Sequence, residues 1–196
     1  MKIFLASGNV NKLNELRDAL EASNLVFDIV SADEIGGMPD VEESGQTFEE
    51  NALLKANALR MQGPAEALYL ADDSGLEVDF LDGKPGVISA RYAGEPCDDE
   101  ANNDKLLREM EGVAERKCRF RCVLALVGNG IKVTFSGSCE GLLLMERRGA
   151  GGFGYDPLFL PEESKNTFAE ISKEDKALIS HRARALAKLV DYLSET

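Results

Sequence analysis

Residues 67–79 have the sequence ALYLADDSGLEVD, in which a run of apolar residues leads directly into a dense set of acids. The apolar run predicts a buried strand over residues 68–71, and the nine residues 71–79 carry four carboxylates. Because buried charges are costly unless they are paired or bound to a cation, core packing does not explain two adjacent acids at a strand end. Carboxylates in this position suit a hard divalent cation such as Mg²⁺. A solvated acidic loop would give the same pattern, so this stretch alone leaves both interpretations open.

Predicted strands and helices alternate along the rest of the chain, which indicates the α/β class. The predicted strands cover residues 2–6, 25–30, 68–71, 118–127 and 132–139, and the predicted helices cover 11–22, 47–62, 98–110 and 172–193. Gly128-Asn129-Gly130 is a strong signal for an antiparallel hairpin, so the expected sheet is mixed. Since the sequence contains no repeat or linker, we expect a single domain over residues 1–196.

The composition limits the possible partners. A formal net charge of −13 and a pI near 4.6 argue against nucleic-acid backbones, which need clustered lysine and arginine. No apolar stretch approaches the roughly 20 residues that cross a bilayer, and the first residues lack the features of a signal peptide. The four cysteines include no Cys-x-x-Cys pair, so reduced thiols in a cytoplasmic protein are expected.

Residues 7–12, between the first predicted strand and helix, form a candidate anion site. A strand–turn–helix junction presents backbone N–H groups at the positive end of a helix, where phosphates bind. Gly8 would let the backbone approach a phosphate closely, and Lys12 would add a positive charge. The sequence has no Walker A pattern, and an ordinary turn with an asparagine cap is the alternative. The candidate residues are Ser7, Gly8, Asn9, Val10, Asn11 and Lys12.

Acids also precede the helix predicted to begin after Thr47, where the sequence TFEE is a capping box. Glu42 or Glu43 could complete a metal shell begun by Asp73. An acid near a helix N-terminus is equally explained by the helix dipole, which is worth about 0.3–1 kcal/mol. Lys55, two turns into this helix, would either face the same site or be solvated.

Residues 149–157, with the sequence GAGGFGYDP, combine four glycines with two aromatic side chains. This pattern is typical of a site that holds a flat base by stacking and edge hydrogen bonds, with a mobile surface loop as the alternative. Ser180-His181-Arg182 lies in the last predicted helix and includes the only histidine of the chain. Because consecutive residues of a helix point in different directions, Ser180 and His181 are not expected to form a catalytic pair. Without the other three segments, His181 would be read as a surface histidine.

Together these segments resemble the inosine/xanthosine triphosphate pyrophosphatase family along nearly the whole chain. Each segment is weak alone, but their order and spacing make the resemblance specific, and Ser7 keeps the hydroxyl where many members carry threonine. The matching segments are SGN at 7–9, EESG at 42–45, ENA at 50–52, KA at 55–56, ADDSGL at 71–76, SARYAG at 89–94, GFGYDP at 152–157 and SHR at 180–182.

The resemblance implies an elongated mixed β-sheet flanked by helices, with two lobes and a nucleotide cleft between them. It implies hydrolysis of deaminated purine nucleoside triphosphates (ITP, dITP and XTP) to the monophosphate and pyrophosphate, with water attacking the α-phosphate. Mg²⁺ as the cofactor and a homodimer as the assembly are also implied.

The same resemblance implies a role for each candidate residue. Asp73 would accept a proton from the attacking water and bind the metal, with Glu42 as the second metal ligand and Asp72 and Glu43 in support. Since a metal keeps a neighbouring carboxylate at low pKa, Asp73 would be an adequate base only for water that the metal also acidifies. The implied catalytic residues are Asp72, Asp73 and Lys12. The implied nucleotide-binding residues are those at 7–12 together with Lys55, Ser74, Phe153, Gly154, Tyr155, Asp156, Lys176, His181 and Arg182.

Two other functions share much of this pattern. A sensor that binds a purine nucleotide without cleaving it would keep the binding residues, but the adjacent pair Asp72-Asp73 argues for catalysis. A related pyrophosphatase acting on modified pyrimidine nucleotides is the second alternative. The segments FGYD and SHR favour the purine substrates.

Overall fold

A computed structural model describes residues 2–7, 13–14, 16–17 and 27–195, and its centre is one six-stranded sheet. The sheet order is β2-β1-β3-β4-β5-β6. Strand β1 pairs parallel with β2 and β3, whereas β5 pairs antiparallel with β6, so the predicted α/β class and mixed sheet are confirmed. The strands are β1 (Lys2–Leu5), β2 (Asp28–Ser31), β3 (Leu68–Val78), β4 (Lys117–Gly128), β5 (Ile131–Leu143) and β6 (Phe159–Pro161).

The α-helices with complete bounds are α1 (Phe48–Arg60), α2 (Asp99–Glu109), α3 (Lys173–Ile179) and α4 (His181–Ser194). The capping box predicted for α1 is present, because Thr47 and Glu50 each accept a hydrogen bond from the other's backbone N–H at 3.2 Å. Of the helix predicted over residues 11–22, residues 13, 14, 16 and 17 are helical, and the rest lies outside the described residues. Short 3₁₀ turns cover Ala32–Ile35, Asp79–Leu81, Gly86–Arg91 and Asp156–Leu158.

Strand β3 is longer than its apolar run predicts. It continues through both acids and Gly75 to Val78, so the acids lie inside the strand rather than at its end. Asp72 and Asp73 are only 4% and 7% exposed, which makes the solvated-loop interpretation wrong. Because neighbouring strand residues point to opposite faces, these two carboxylates leave the sheet on different sides.

The hairpin between β4 and β5 is confirmed. Asn129 and Gly130 form the connection with φ angles of 49° and 80°, and positive φ at both central residues is what the tight type I′ turn requires. None of the four cysteines is in a disulfide, and Cys118 and Cys122 are both buried on β4.

The single helix predicted over residues 172–193 is wrong, because it is two helices separated at Ser180. This residue has extended backbone angles (φ −68°, ψ 155°) and ends α3. Its Oγ accepts a hydrogen bond from the N–H of Ala183 at 3.2 Å and so caps the start of α4. His181 and Arg182 therefore occupy the first turn of a helix, not its interior.

The chain separates into two compact units, each with its own core. Unit 1 comprises Met1–Asp73, Cys122–Gly137 and Arg184–Thr196, and its core packs Leu68 and Leu70 of β3 with Leu186 and Leu189 of α4. Unit 2 comprises Ser74–Arg121 and Ser138–Ala183, and its core includes Leu76, Phe120 and Phe159. The single domain over residues 1–196 stays a prediction. Within the described ranges, no helix has the length and apolar character needed to cross a membrane.

Candidate functional site

The first candidate region is a group of four polar side chains in unit 1, Glu43, Asn51, Lys55 and Asp73, which we call the acid–lysine cluster. The Nζ of Lys55 lies 2.7 Å from Oδ1 of Asp73 and 3.2 Å from Oε1 of Glu43. The Nδ2 of Asn51 donates to Oδ2 of Asp73 at 3.4 Å. Asn51 and Lys55 are one turn apart on α1, so both reach the same strand residue from one helix face.

Burial and charge shift the pKa values in this cluster. Burial raises the pKa of the Asp73 carboxyl above its ordinary value, and the attraction and hydrogen bond of Lys55 offset this only in part. Burial alone would lower the pKa of Lys55, but the charges of Asp73, Asp72 and Glu43 raise it. Lys55 is therefore a firmly protonated cation, and Asp73 is a better proton acceptor than an ordinary aspartate.

The donor chemistry of the cluster suits a hard cation. Glu43 and Asp73 already share a buried positive charge, and carboxylate oxygens are the ligands that Mg²⁺ prefers. Across the part of the chain that the structure describes, no three His, Cys, Asp or Glu side chains group together as a metal cage. Mg²⁺ commonly binds through one or two carboxylates, with water and substrate phosphates as the other ligands, so the residues present fit it.

The predicted acids differ in their surroundings. Glu43, expected only to support the site, makes the ion pair with Lys55, while Glu42 is exposed to solvent. Asp72 is buried and adds to the negative potential at Lys55. Of the two possibilities left open for Lys55, the structure has the one in which its side chain faces the acids. Ser7 is partly buried, and the predicted anion-binding residues Gly8, Asn9, Val10, Asn11 and Lys12 lie outside the described residues.

The second candidate region is a pocket in unit 2, which we call the aromatic pocket. The structure brings around it all eight residues of unit 2 that the sequence predicts to hold the nucleotide. These are Ser74, Phe153, Gly154, Tyr155, Asp156, Lys176, His181 and Arg182. Five further residues complete the lining, namely Gly75, Ser89, Ala90, Asp99 and Phe120.

The loop at residues 153–156 has a defined shape, so the mobile-loop alternative is wrong. Helix α2 binds both backbone groups of Gly154, because its N–H donates to Asp99 Oδ2 at 2.7 Å and its carbonyl accepts from Asn103 Nδ2 at 2.9 Å. The N–H of Phe153 donates to Asp156 Oδ2 at 3.0 Å. The hydroxyl of Tyr155 donates to the carbonyl of Ser89 at 2.8 Å, and burial raises the pKa of this phenol.

Both positively charged and aromatic side chains line the aromatic pocket. Lys176 forms an ion pair with the buried Asp156, and its Nζ lies 5.0 Å from the ring centre of Phe153. Phe153 is 56% exposed, which leaves most of its surface free for contact. Arg182 donates to the Oγ of Ser74 at 3.4 Å.

His181 is buried, so the surface position that its segment alone would favour is wrong. Its ring stacks on Phe120 with the centroids 4.9 Å apart and an angle of 13° between the planes. Ser180 caps α4 through its Oγ and is not inside a helix, so the helix-periodicity argument against a catalytic Ser–His pair no longer applies.

Sequence reasoning missed the roles of Asn51, Asp99, Asn103 and Phe120. Asn51 had a local signal, since an asparagine inside a capped helix and one turn before Lys55 faces the same way as that lysine. Phe120 was expected only as one apolar residue of an alternating strand, and nothing local links it to His181. Asp99 and Asn103 were seen only as part of a helix.

The two regions together narrow the class of protein. A mixed α/β sheet with a buried carboxylate–lysine cluster, and with a pocket of rings and cations, is typical of an enzyme that acts on a nucleotide. The chain belongs to the Ham1 family, whose model matches residues 3–192.

Individual relatives are similar over almost their full length. A dITP/XTP pyrophosphatase of Desulforamulus reducens is 52% identical over 99% of this chain and 96% of the relative. A dITP/XTP pyrophosphatase of Bacillus anthracis is 48% identical, with coverage of 99% and 96%. The solved structure of the Staphylococcus aureus Ham1 protein superposes with a TM-score of 0.91 at 39% identity, covering 100% of this chain and 99% of that one.

Proposed function

We propose that this protein hydrolyses deaminated purine nucleoside triphosphates, namely ITP, dITP and XTP, to the monophosphate and pyrophosphate. One observation carries the proposal: eight residues, predicted from separate segments to hold the nucleotide, line a single pocket. Relatives about half identical over nearly the whole chain bear the name dITP/XTP pyrophosphatase, which supports the same substrates.

Asp73 is the proposed proton acceptor for the water that attacks the α-phosphate. Its position supports this role, because Lys55 and Asn51 each contact one oxygen of its carboxylate, and with Mg²⁺ bound it would act on water that the metal also acidifies. Lys55 neutralises the carboxylates around it, which favours the approach of an anionic triphosphate. Asp72 supports the site through its charge.

Mg²⁺ is the proposed cofactor, with Asp73 and Glu42 as its ligands. When bound, it would neutralise phosphate charge and acidify the attacking water. Because Glu43 contacts Lys55 whereas Glu42 is exposed, Glu42→Gln and Glu43→Gln form a matched pair. We expect Glu42→Gln to raise the Mg²⁺ concentration needed for half-maximal rate about tenfold or more, and Glu43→Gln to change it less.

The aromatic pocket is the proposed base site. Phe153 offers an exposed ring for stacking, and His181 and Arg182 would present donors to the 6-carbonyl of hypoxanthine or xanthine. The 6-amino group of adenine would leave such a donor unpaired, which is how a site rejects an analogue strongly. Residues 7–12, including Lys12, and Ser74 and Lys176 would hold the phosphates and sugar.

Product analysis tests the function directly. The protein is incubated with ITP, XTP, ATP or GTP and Mg²⁺, and pyrophosphate and orthophosphate are measured separately. We expect pyrophosphate from ITP and XTP and little turnover of ATP or GTP. Because guanine shares the 6-carbonyl, rejection of GTP would depend on its 2-amino group. Orthophosphate alone would contradict the proposed reaction, and tight ITP binding without product would favour the sensor.

The proposal extends to the setting of the enzyme. We expect a homodimer in the cytoplasm whose partner is the small-molecule nucleotide, with neither a nucleic acid nor a membrane bound. Sedimentation velocity at micromolar concentration tests the dimer, and a monomer under those conditions would contradict it.

A further inference from the structure

Asn51 is a polar side chain in a place where helices normally bury apolar ones. It lies in the first turns of α1 and is completely buried, with an exposed fraction of 0%. A buried amide is costly unless its donors and acceptor are satisfied, so its hydrogen bonds identify what it is there to hold.

Those hydrogen bonds join two segments that are distant in the sequence. The Oδ1 of Asn51 accepts from the backbone N–H of Gly45 at 2.8 Å, and its Nδ2 donates to Oδ2 of Asp73 at 3.4 Å. One turn later, Lys55 makes a second bridge between the same segments, through Glu43 and Asp73. Helix α1 therefore contacts β3 and the 43–45 segment through two parallel bridges.

The two bridges contact different oxygens of Asp73. Lys55 binds Oδ1 and Asn51 binds Oδ2, so together they define the plane of the carboxylate and not only its position. A carboxylate held by one partner would rotate about its last bond. Orientation matters for a base, because a proton moves only along a well-aligned hydrogen bond.

We propose that Asn51 is a positioning residue that orients the Asp73 carboxylate for proton transfer, an inference that rests on the proposed role of Asp73 as the base. Asparagine is suited to the task because it accepts from Gly45 and donates to Asp73 at once. A purely structural role, in which Asn51 only secures the 43–45 segment, would need the acceptor alone.

Three variants separate these roles. Asn51→Asp keeps an acceptor for the Gly45 N–H but cannot donate to ionised Asp73, and Asn51→Ala removes both bonds. Asn57→Ala is the matched control, because Asn57 is exposed on the same helix and donates to the carbonyl of Leu53. For each variant, kcat and KM for ITP, ITP binding in metal-free buffer and thermal unfolding are measured.

We expect Asn51→Asp and Asn51→Ala both to lower kcat about 10²-fold while KM and ITP binding stay within a few-fold of the wild type. Asn57→Ala should match the wild type in every measurement. A kcat for Asn51→Asp close to that of Asn57→Ala would overturn the proposal, because the acceptor alone would then suffice.

A substitution at a different residue covers the case in which an Asn51 variant is unfolded at the assay temperature. A Cβ on Gly45 would lie 2.5 Å from Oδ1 of Asn51 and 2.7 Å from Cβ of Glu50, so Gly45→Ala should displace the amide together with the first turn of α1 and lower kcat in the same direction. An unchanged kcat for a folded Gly45→Ala would count against the proposal. If the wild type itself releases no pyrophosphate from ITP, it is the proposed function that fails.

Discussion

The acid–lysine cluster and the aromatic pocket begin at consecutive residues of β3, yet they are built from opposite kinds of chemistry. In the cluster, the buried Asp73 contacts the ammonium group of Lys55 and the amide of Asn51, and the pKa values of both Asp73 and Lys55 are raised. The pocket uses rings, an exposed phenylalanine and a loop whose backbone is bonded to α2. From this contrast we infer that the acid–lysine cluster serves the reacting phosphate, whereas the rings of the aromatic pocket serve the base, which does not react. Changes in the first should therefore alter kcat, and changes in the second should alter KM.

The largest effect is expected from Asp73→Asn. Removing a general base costs about 10²–10⁴-fold in rate, so hydrolysis of ITP should fall by about 10³-fold. Nucleotide binding should persist, because the residues of the aromatic pocket are unchanged. Steady-state kinetics with an equilibrium binding assay measures both, and a near-normal kcat would remove Asp73 from the mechanism.

Loss of the buried cation should be the next largest effect, this time on stability. Lys55→Met keeps an unbranched apolar stem but leaves Asp73 and Glu43 without their shared positive charge, at a cost of about 3 kcal/mol in unfolding free energy. Lys2→Met is the control, since the Lys2–Glu34 pair is exposed and worth less than about 1 kcal/mol. Urea unfolding measures the free energy of unfolding of both variants. An equal decrease in the two would show that the ion pairs of Lys55 contribute no more to stability than the exposed Lys2–Glu34 pair.

Removal of the Phe153 ring from the aromatic pocket should have a smaller effect, and on KM rather than on kcat or stability. Phe153→Ala should raise the KM for ITP about tenfold, since base–aromatic stacking is worth about 1–3 kcal/mol, and should change kcat less. Phe80→Ala, at an exposed phenylalanine outside the pocket lining, controls for loss of surface area. If Phe153→Ala lowered kcat with KM unchanged, this would contradict the assignment of kcat to the acid–lysine cluster and of KM to the aromatic pocket.

The smallest effect is expected in the pH dependence of Tm, which tests the acid–lysine cluster without any substrate. A carboxyl with a raised pKa in the folded state stabilises the fold below its ordinary value of 3.8, and that contribution is lost as the pH rises through the folded pKa. In metal-free buffer, the Tm of Asp73→Asn relative to the wild type should therefore be highest near neutral pH and should decline as the pH falls towards 3.8. A Tm that is lower for Asp73→Asn at neutral pH would mean that the bond to Lys55 outweighs burial.

Local signals predicted most of the fold, and distant contacts decided what they missed. The capping box of α1 and the Asn129-Gly130 turn depend on neighbouring residues, so the sequence displays them. The segment from Asp72 to Gly75 resembles a turn, and it is a strand because Lys55 and Asn51 compensate the buried charge from another element. The break at Ser180 was hidden because serine is not a strong helix breaker, and its cap on Ala183 becomes visible only in three dimensions.

In the candidate site, too, local signals were predictable from the sequence and contacts between distant residues were not. Residue types that suit a base or a phosphate were recognisable from their segments, and the structure gathers eight of them around one pocket. The stacking of Phe120 on His181 and the bonds of α2 to Gly154 join residues far apart in the chain. No local pattern encodes such contacts, because each partner alone is an ordinary strand or helix residue.

Strand β4 carries two thiols whose placement gives the protein a natural pair of internal reporters. Cys118 belongs to the core of unit 2 and Cys122 to the core of unit 1, although the two residues are only about four positions apart on the same strand. Burial raises the pKa of Cys118 to about 12, so its labelling by a thiol reagent requires the core around it to open. The labelling rates of the two thiols would thus compare the opening equilibria of the two cores within a single chain, with no fluorophore or added tag.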